Sequence, residues 1–343
     1  MLDDKSRRRC LRAVGSAGLI AALTGPSAAH ATLAYTKSGP SVWVAKDDGS
    51  SPHRLAKGNG LLLAPDGHSV LYETSNGGQS FTSTLKLIKT AGGAARTLLK
   101  VNSGDVHAFS PDSHWVAALS GSPLGQHPVR KLVLINVATA KSRTIASGDF
   151  DGVSFSPDSS QLVYGKISGV DSQQFPRENL FVAGVLASGA SRQLTTDGRS
   201  GAPLWGPQQI AFSHYTRGSA PNRNIWLINP DGSGSTVLTH DAMPAVDDGL
   251  KPKSWSADGS RLLARFDAID PFPLTVDIAS GKESRLPKHS GLEAAALSRD
   301  GLTVLGTEGA IANHPEADVV TLPATGGKAK VLVRNAAAFG WTR

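Results

Sequence analysis

The sequence predicts an all-β protein, a β-propeller of four-stranded antiparallel blades, and three observations predict it. A Ser-Pro-Asp-Gly-like corner recurs along the 343 residues. It reads Ala64-Pro65-Asp66-Gly67, Ser110-Pro111-Asp112-Ser113, Ser156-Pro157-Asp158-Ser159 and Gly206-Pro207-Gln208-Gln209. It continues in degenerate form as Ser256-Ala257-Asp258-Gly259, Ser298-Arg299-Asp300-Gly301 and the terminal Thr342-Arg343. Successive corners lie 46, 46, 50, 50, 42 and 44 residues apart, a period in the forties that suits one blade per repeat. Two positions before the second residue of each corner stands a large side chain: Leu63, Phe109, Phe155, Trp205, Trp255, Leu297 and Trp341. One register implies one structural job, packing between adjacent blades.

The corner itself is turn chemistry. Proline pre-sets φ at the second position of a type I turn, Ser suits the first, and Gly tolerates the fourth. Asp66, Asp112 and Asp158 are therefore expected to be hairpin residues, with no catalytic role. A second strand follows each corner, as at Val70-Leu71-Tyr72 and Leu162-Val163-Tyr164, and a third comes after it, as at Leu132-Val133-Leu134-Ile135 and Ile225-Trp226-Leu227-Ile228. Gly-rich hairpins such as Asp231-Gly232-Ser233-Gly234 then lead into outer strands such as Arg192-Gln193-Leu194 and Ser284-Arg285-Leu286. No amphipathic helix is expected after the leader.

The two ends complement one another. Leu33-Ala34-Tyr35, Val42-Trp43-Val44 and His53-Arg54-Leu55 supply three strands without an inner one, and residues 336–341 supply an inner strand with no blade after it. Together they make one shared blade, which removes two sheet edges and closes the ring. Counting it gives seven blades; roughly 312 residues after the leader is about 45 per blade, whereas the alternative of six blades needs about 52.

The unit from Phe155-Ser156-Pro157-Asp158 to Arg192-Gln193-Leu194-Thr195, and the next with Ile225-Trp226-Leu227-Ile228 and Val237-Leu238-Thr239, resembles the TolB-like family of WD40-like propeller repeats. The resemblance covers nearly the whole chain after the leader and is specific for fold. It implies little about activity, because the repeat consensus is packing and turn chemistry. No room is expected here for the additional N-terminal α/β domain of TolB proper, so an assembly role of that kind is not expected.

The leader is the other strong signal. Residues 5–12 are basic, residues 13–23 are a short apolar stretch of small side chains, and Ala29-His30-Ala31 offers an Ala-x-Ala cleavage site. This describes a signal peptide over residues 1–31, too short in its apolar part to span a membrane, and places the protein in the periplasm or outside the cell. Ser6-Arg7-Arg8-Arg9 resembles the twin-arginine signature, with the general secretory route as the alternative. Cys10, the only cysteine, leaves with the leader, so no disulfide or thiolate chemistry remains. The formal charge falls from +7 to +4, from 30 basic and 26 acidic side chains. With no basic stripe interleaved with aromatics, nucleic-acid binding is excluded. No other apolar run approaches membrane-spanning length.

Catalytic motifs are missing. There is no His-Glu-x-x-His, Gly-x-Ser-x-Gly or phosphate-cradling loop, so no catalytic residue, metal or cofactor is expected. Four scattered histidines, His107, His214, His289 and His314, would have to converge with carboxylates to hold a metal. Asp231-Gly232-Ser233-Gly234 evokes a calcium loop, but its register is that of a hairpin. What varies between repeats is the face opposite the corners, where the chain is expected to form loops. Residues 166–178 carry Phe175 and Arg177, residues 214–223 carry Arg217 and Arg223, and residues 267–273 carry Phe272. Entering the inner strands, residues 148–151 carry Asp149 and Asp151, and residues 240–253 carry Asp247 and Asp248. Such a rim suits a protein, peptide or glycan partner bound by a monomeric, non-catalytic scaffold. The alternative is a metal-assisted saccharide lyase or hydrolase at the channel mouth.

Overall fold

The computed structural model describes residues 32–75, 82–102, 106–121, 130–172, 175–186, 189–216, 222–240, 249–267, 271–286, 291–309 and 317–342. These residues contain no helix. The chain first builds β1 (Thr32–Lys37), β2 (Ser41–Lys46) and β3 (His53–Lys57), then β4 (Asn59–Leu63), β5 (Ser69–Ser75), β6 (Thr82–Lys89) and β7 (Arg96–Asn102). Next, β8 (Val106–Phe109), β9 (Trp115–Ser120) and β10 (Arg130–Asn136) lead into the long β11 (Ser142–Phe155). It is followed by β12 (Gln161–Val170), β13 (Pro176–Gly184) and β14 (Arg192–Gln193). Then come β15 (Ser200–Trp205), β16 (Ile210–Thr216), β17 (Asn222–Ile228) and β18 (Thr236–Val237). The set β19 (Gly249–Trp255), β20 (Arg261–Asp267), β21 (Phe272–Asp277) and β22 (Glu283–Arg285) follows. Last are β23 (Glu293–Leu297), β24 (Thr303–Glu308), β25 (Asp318–Pro323), β26 (Lys330–Val333) and β27 (Ala336–Trp341).

Five of the six sheets have four strands, in the orders β27-β1-β2-β3, β4 to β7, β15 to β18, β19 to β22 and β23 to β26. The sixth has seven, β8 to β14, because β11 serves twice. Residues 142–148 of β11 pair with β10 and residues 149–155 pair with β12. This corrects the expected entry loop at residues 148–151, which is continuous strand. Phe150 explains the difference: it is buried and sits edge-on to Tyr164 with ring centroids 5.8 Å apart, so the segment gains by staying extended. The loops expected between second and third strands are likewise shorter, since Val170 pairs with Pro176, Thr216 with Asn222 and Phe266 with Phe272.

The innermost strand of every four-stranded set carries a register shift against its neighbour. The shifts fall between Gly60 and Leu62, Val106 and Ala108, Asp151 and Val153, Gly201 and Leu204, Pro252 and Ser254, and Ala294 and Ala296. On the β1–β27 pair the shift falls at Ala34/Tyr35. A bulge adds twist and re-aims the side chains on either side of it.

The corners fold as their residues require. The Ser110 hydroxyl accepts from the Trp115 amide at 2.9 Å and donates to the Asp112 carboxylate at 2.5 Å. Ser156–Asp158, Ser256–Asp258 and Ser298–Asp300 repeat the same hydroxyl-to-carboxylate bond. The hydroxyl bond from Ser256 and the Ser260 amide hold the Asp258 carboxyl down to about 2. The fourth position takes positive φ, 73° at Gly67 and 62° and 61° at Ser113 and Ser159. Those two serines repay the strained backbone by accepting from the Asp66 and Asp112 amides of the preceding corners, at 3.2 and 3.0 Å.

Each large residue before a corner packs between two consecutive four-stranded sets. Phe109 joins Leu71 and Leu85 to Val116 and Ile135, and Phe155 joins Leu119 and Leu132 to Leu162 and Tyr164. Trp205 lies with Val163, Leu180, Ile210 and Phe212, and Trp255 with Ile225 and Leu262. Leu297 lies with Leu263 and Val304. Trp341 meets Leu305, Val319, Leu33 and Tyr35, and Leu63 meets Val42, Val44, Val70 and Tyr72. Phe155→Ala is expected to cost about 3–5 kcal/mol through lost packing and a cavity, measured by denaturant unfolding of the protein from Thr32 onward. An unchanged midpoint would remove Phe155 from the fold's support.

Candidate functional site

The corners mark one face of the molecule. On the opposite face the inner strands begin, and there three of them carry charge, at Asp151, Lys251 and Glu293. Asp151 sits at the β11 bulge, opposite Gly165, whose missing side chain leaves room for it: a Cβ there would stand 2.4 Å from the Asp151 carbonyl oxygen. Glu178 lies on the neighbouring strand of the same sheet, β13, with its side chain only 5% exposed. Its carboxyl lies beside that of Asp151, whose charge acts on it. Above both lies Gly201 of β15, where a Cβ would fall 1.8 Å from Glu178 Oε2 and 2.9 Å from Asp151 Oδ2. Asp151 Oδ2 is buried and receives no N–H or hydroxyl donor, so a proton on the Glu178 carboxyl is the donor available to it.

Cations approach the pair from the next two sheets. Arg223 of β17 places Nη2 3.5 Å from Glu178 Oε1 and Nη1 3.9 Å from Asp151 Oδ2. Its backbone is packed against Gly249, which has φ +92° and no room for a Cβ. Lys251 of β19 is turned to Asp267, Nζ to Oδ2 at 3.4 Å, while still contributing attraction to Glu178. Arg265 Nε lies 2.8 Å from Asp267 Oδ1, an ion pair without hydrogen-bond alignment, and its Nη1 is 3.5 Å from Glu293 Oε1. Ion pairs thus link Glu293, Arg265, Asp267 and Lys251 in one run and Arg223, Glu178 and Asp151 in another, and the attraction of Lys251 for Glu178 joins the two. Burial, and then the charge of Asp151, push the Glu178 carboxyl up to about 7 against the pull of Arg223 and Lys251.

Beside this chain, His214 Nε2 is 2.7 Å from Asp197 Oδ2, and its ring lies 4.4 Å from that of Trp226. Burial alone would raise Asp197, but hydrogen bonds from His214, the Arg199 amide and the Ser200 hydroxyl outweigh it and hold the carboxyl below its ordinary range. Among the described residues no group of three His, Cys, Asp or Glu side chains is arranged to hold a metal ion. No helix among them is long and apolar enough to cross a membrane.

No family model matches the chain, and no curated protein matches it by sequence. Solved structures do match. TolB from Acinetobacter baumannii is 14% identical with a TM-score of 0.56, over 91% of this chain and 82% of that one. The β-propeller domain of the Trilobed protease from Pyrococcus furiosus, described as having an open velcro topology, is 12% identical with a TM-score of 0.62, over 85% and 86%. The fold is a TolB-like β-propeller. An oligogalacturonate lyase in complex with manganese also shares it, at 18% identity and a TM-score of 0.58 over 88% and 84%. At these identities the likeness is one of fold.

On the propeller, the residues singled out from sequence fall in different places. Asp151 and Arg223 are brought together at the acid pair. Asp149 turns its carboxylate to the Phe150 amide at 3.0 Å. Phe175 packs on Tyr215 with centroids 4.6 Å apart, and Arg177 is exposed. Phe272 stacks on Phe266 at 5.0 Å and lies under Arg285, whose guanidinium carbon is 3.5 Å from the ring centre. Arg217, Asp247, Asp248, His289 and His314 lie outside the described residues, as does the leader; His107 is on β8, an inner strand. Sequence reasoning passed over Glu178, Lys251, Arg265, Asp267, Glu293 and Gly201. The one available signal was charge where inner strands begin, as at Lys251 and Glu293; Glu178, Arg265 and Asp267 lie on second and third strands.

Gly201→Ala tests the construction of the acid pair. The added methyl group meets Glu178 Oε2 and the β15 backbone cannot retreat without disturbing its bulge, so a loss of about 1–3 kcal/mol is expected in denaturant unfolding. A neutral substitution would show that Glu178 is free to move aside.

Proposed function

We propose that the chain is an exported, non-catalytic scaffold that binds a protein, peptide or glycan partner on the face opposite the Ser-Pro-Asp corners. The observation that carries this reading is the charge chain from Glu293 to Asp151. It concentrates partly exposed acids and cations from consecutive sheets at one end of the inner strands, held in place by ion pairs. Preorganised charge of both signs favours orientation and selectivity of a polar partner over bulk affinity. The scaffold is a seven-bladed ring over residues 32–343, with β27 closing the blade begun by β1. Two features support closure: Tyr35 pairs with Ala338 on the β1–β27 seam, and an apolar cluster straddles every junction, including that between the last sheet and the first. Residues 1–31 are a cleavable leader, directing the mature protein to the periplasm or beyond.

Three measurements check this. The exported protein is expected to begin at Thr32, read by mass spectrometry of its N-terminus. Deleting residues 336–343 is expected to unfold the ring or lower its melting temperature by many degrees, because it exposes the β1 edge and uncovers Leu33 and Tyr35. Melting within a degree or two of the intact protein, as surface changes of under about 0.5 kcal/mol produce, would argue against closure. Arg177→Glu and Asp149→Lys are expected to weaken capture of a partner from envelope extract while leaving the melt unchanged. Partners retained equally by the wild-type and reversed proteins would count against this face.

The Asp151–Glu178 pair favours a second reading, a saccharide lyase or hydrolase working at the channel mouth, since an acid held neutral near pH 7 beside a carboxylate is acid–base equipment. His214 is engaged by Asp197 and offers no free ring nitrogen on that side. Turnover of acidic or neutral oligosaccharides by the mature protein, with and without added manganese, and its loss in Glu178→Gln, would displace the scaffold reading.

A further inference from the structure

We propose that Asp151 and Glu178 share a single proton in the folded protein, and that this proton latches the inner strands beneath the binding face, so that its release loosens the face. The inference rests on the reading of that face as the binding face, and it names how the face is regulated.

The geometry leaves few alternatives. Two carboxyls meet beneath Gly201, where a single Cβ would stand against an oxygen of each, one of them 5% exposed and the other 26%. Two carboxylates in contact repel, and a shared proton removes that repulsion and supplies the missing donor to Asp151 Oδ2. The groups facing the pair come from every neighbouring element. β11 offers Asp151 itself, and Asp149 is turned to a backbone amide. Lys166 of β12 lies against Gly148, further along β11. Just before β15, Arg199 bridges the Glu178 backbone, β15 itself supplies Ser200 and Gly201, β16 has its His214 on Asp197, and β17 brings Arg223 at 3.5 and 3.9 Å, beyond good hydrogen-bond range. β19 brings Lys251, already paired with Asp267 of β20. Arg223 and Lys251 both pull the Glu178 carboxyl down, but burial and the charge of Asp151 outweigh them.

Gly201 turns the titration into movement. The β15 backbone at Gly201 lies directly over Oε2 and closes the site on that side. On deprotonation the Glu178 O–H bond breaks, the proton passes to water, and the pair goes from one negative charge to two. Relief then comes from β15 drawing away from β11 and β13, the strands that frame the mouth. The sign follows from the folded carboxyl lying above its unfolded value. The latch is fully engaged below the ordinary glutamate range and is lost as the pH rises through about 7.

The test uses the mature protein and needs no partner. Hydrogen exchange of residues 176–184 and 200–205, corrected for intrinsic rate, is measured at about pH 5 and about pH 8.5 for the wild type, Glu178→Gln and Asp151→Asn. Exchange in the wild type is expected to rise several-fold at the higher pH. Glu178→Gln keeps a donor to Asp151 at every pH and is expected to abolish the rise; Asp151→Asn is expected to move it to lower pH. Carbon-13 titration of the glutamate carboxyls provides a second readout, in which one resonance moves near neutrality and disappears in Glu178→Gln. Equal pH dependence in wild type and Glu178→Gln, or every glutamate titrating in its ordinary range, overturns the latch. Loss of partner capture with the latch intact would instead overturn the scaffold reading.

Discussion

A β-sheet four strands wide has two apolar faces and cannot cover either alone. In this chain each face is covered by the next sheet, and the rest of the structure follows from that constraint. Leu71 and Leu85 require Val116 and Ile135, Leu119 requires Tyr164, and Leu305 and Val319 require Leu33 and Tyr35. The large residue before each corner sits at the junction, which explains why it keeps one register while its identity varies among Leu, Phe and Trp. Burying such a side chain contributes about 1.5–3 kcal/mol, and no single sheet is stable without its neighbours.

Stacking sheets in this way separates two jobs. The corner face is occupied by turns whose serines and aspartates satisfy one another and the backbone, and two of them reach across to the preceding corner. The other end of the inner strands has no such repeat of turn chemistry. Asp151 owes its position to one bulge, and the space for it to the absence of a side chain at Gly165.

The acid pair shows what that freedom permits. A carboxyl that is almost fully buried is costly, and the protein tolerates Glu178 by giving it a partner carboxyl, a guanidinium at one remove and a glycine roof. None of these is required by the repeat. Such a cluster is a liability to folding, so it marks the mouth as the place where the chain departs from consensus.

The sequence by itself determined the architecture, because corner, period and aromatic register are local and repeated, and local turn chemistry admits few alternatives. It also fixed the pairing of the terminal fragments, since a blade lacking an inner strand and an inner strand lacking a blade have one natural solution; β27 spans the residues expected of it. The extent of the strands was less legible. Residues 148–151 read as a loop because Gly and Asp punctuate them, and the burial of Phe150 against Tyr164 overrode that signal. The site was legible only in fragments. Asp151 and Arg223 were visible as charges on a variable face, but Glu178, Gly201 and Lys251 lie 27, 50 and 100 residues beyond Asp151 in the chain. Their convergence depends on how successive sheets rotate and stack, and that is a property of packing between repeats which no single repeat encodes.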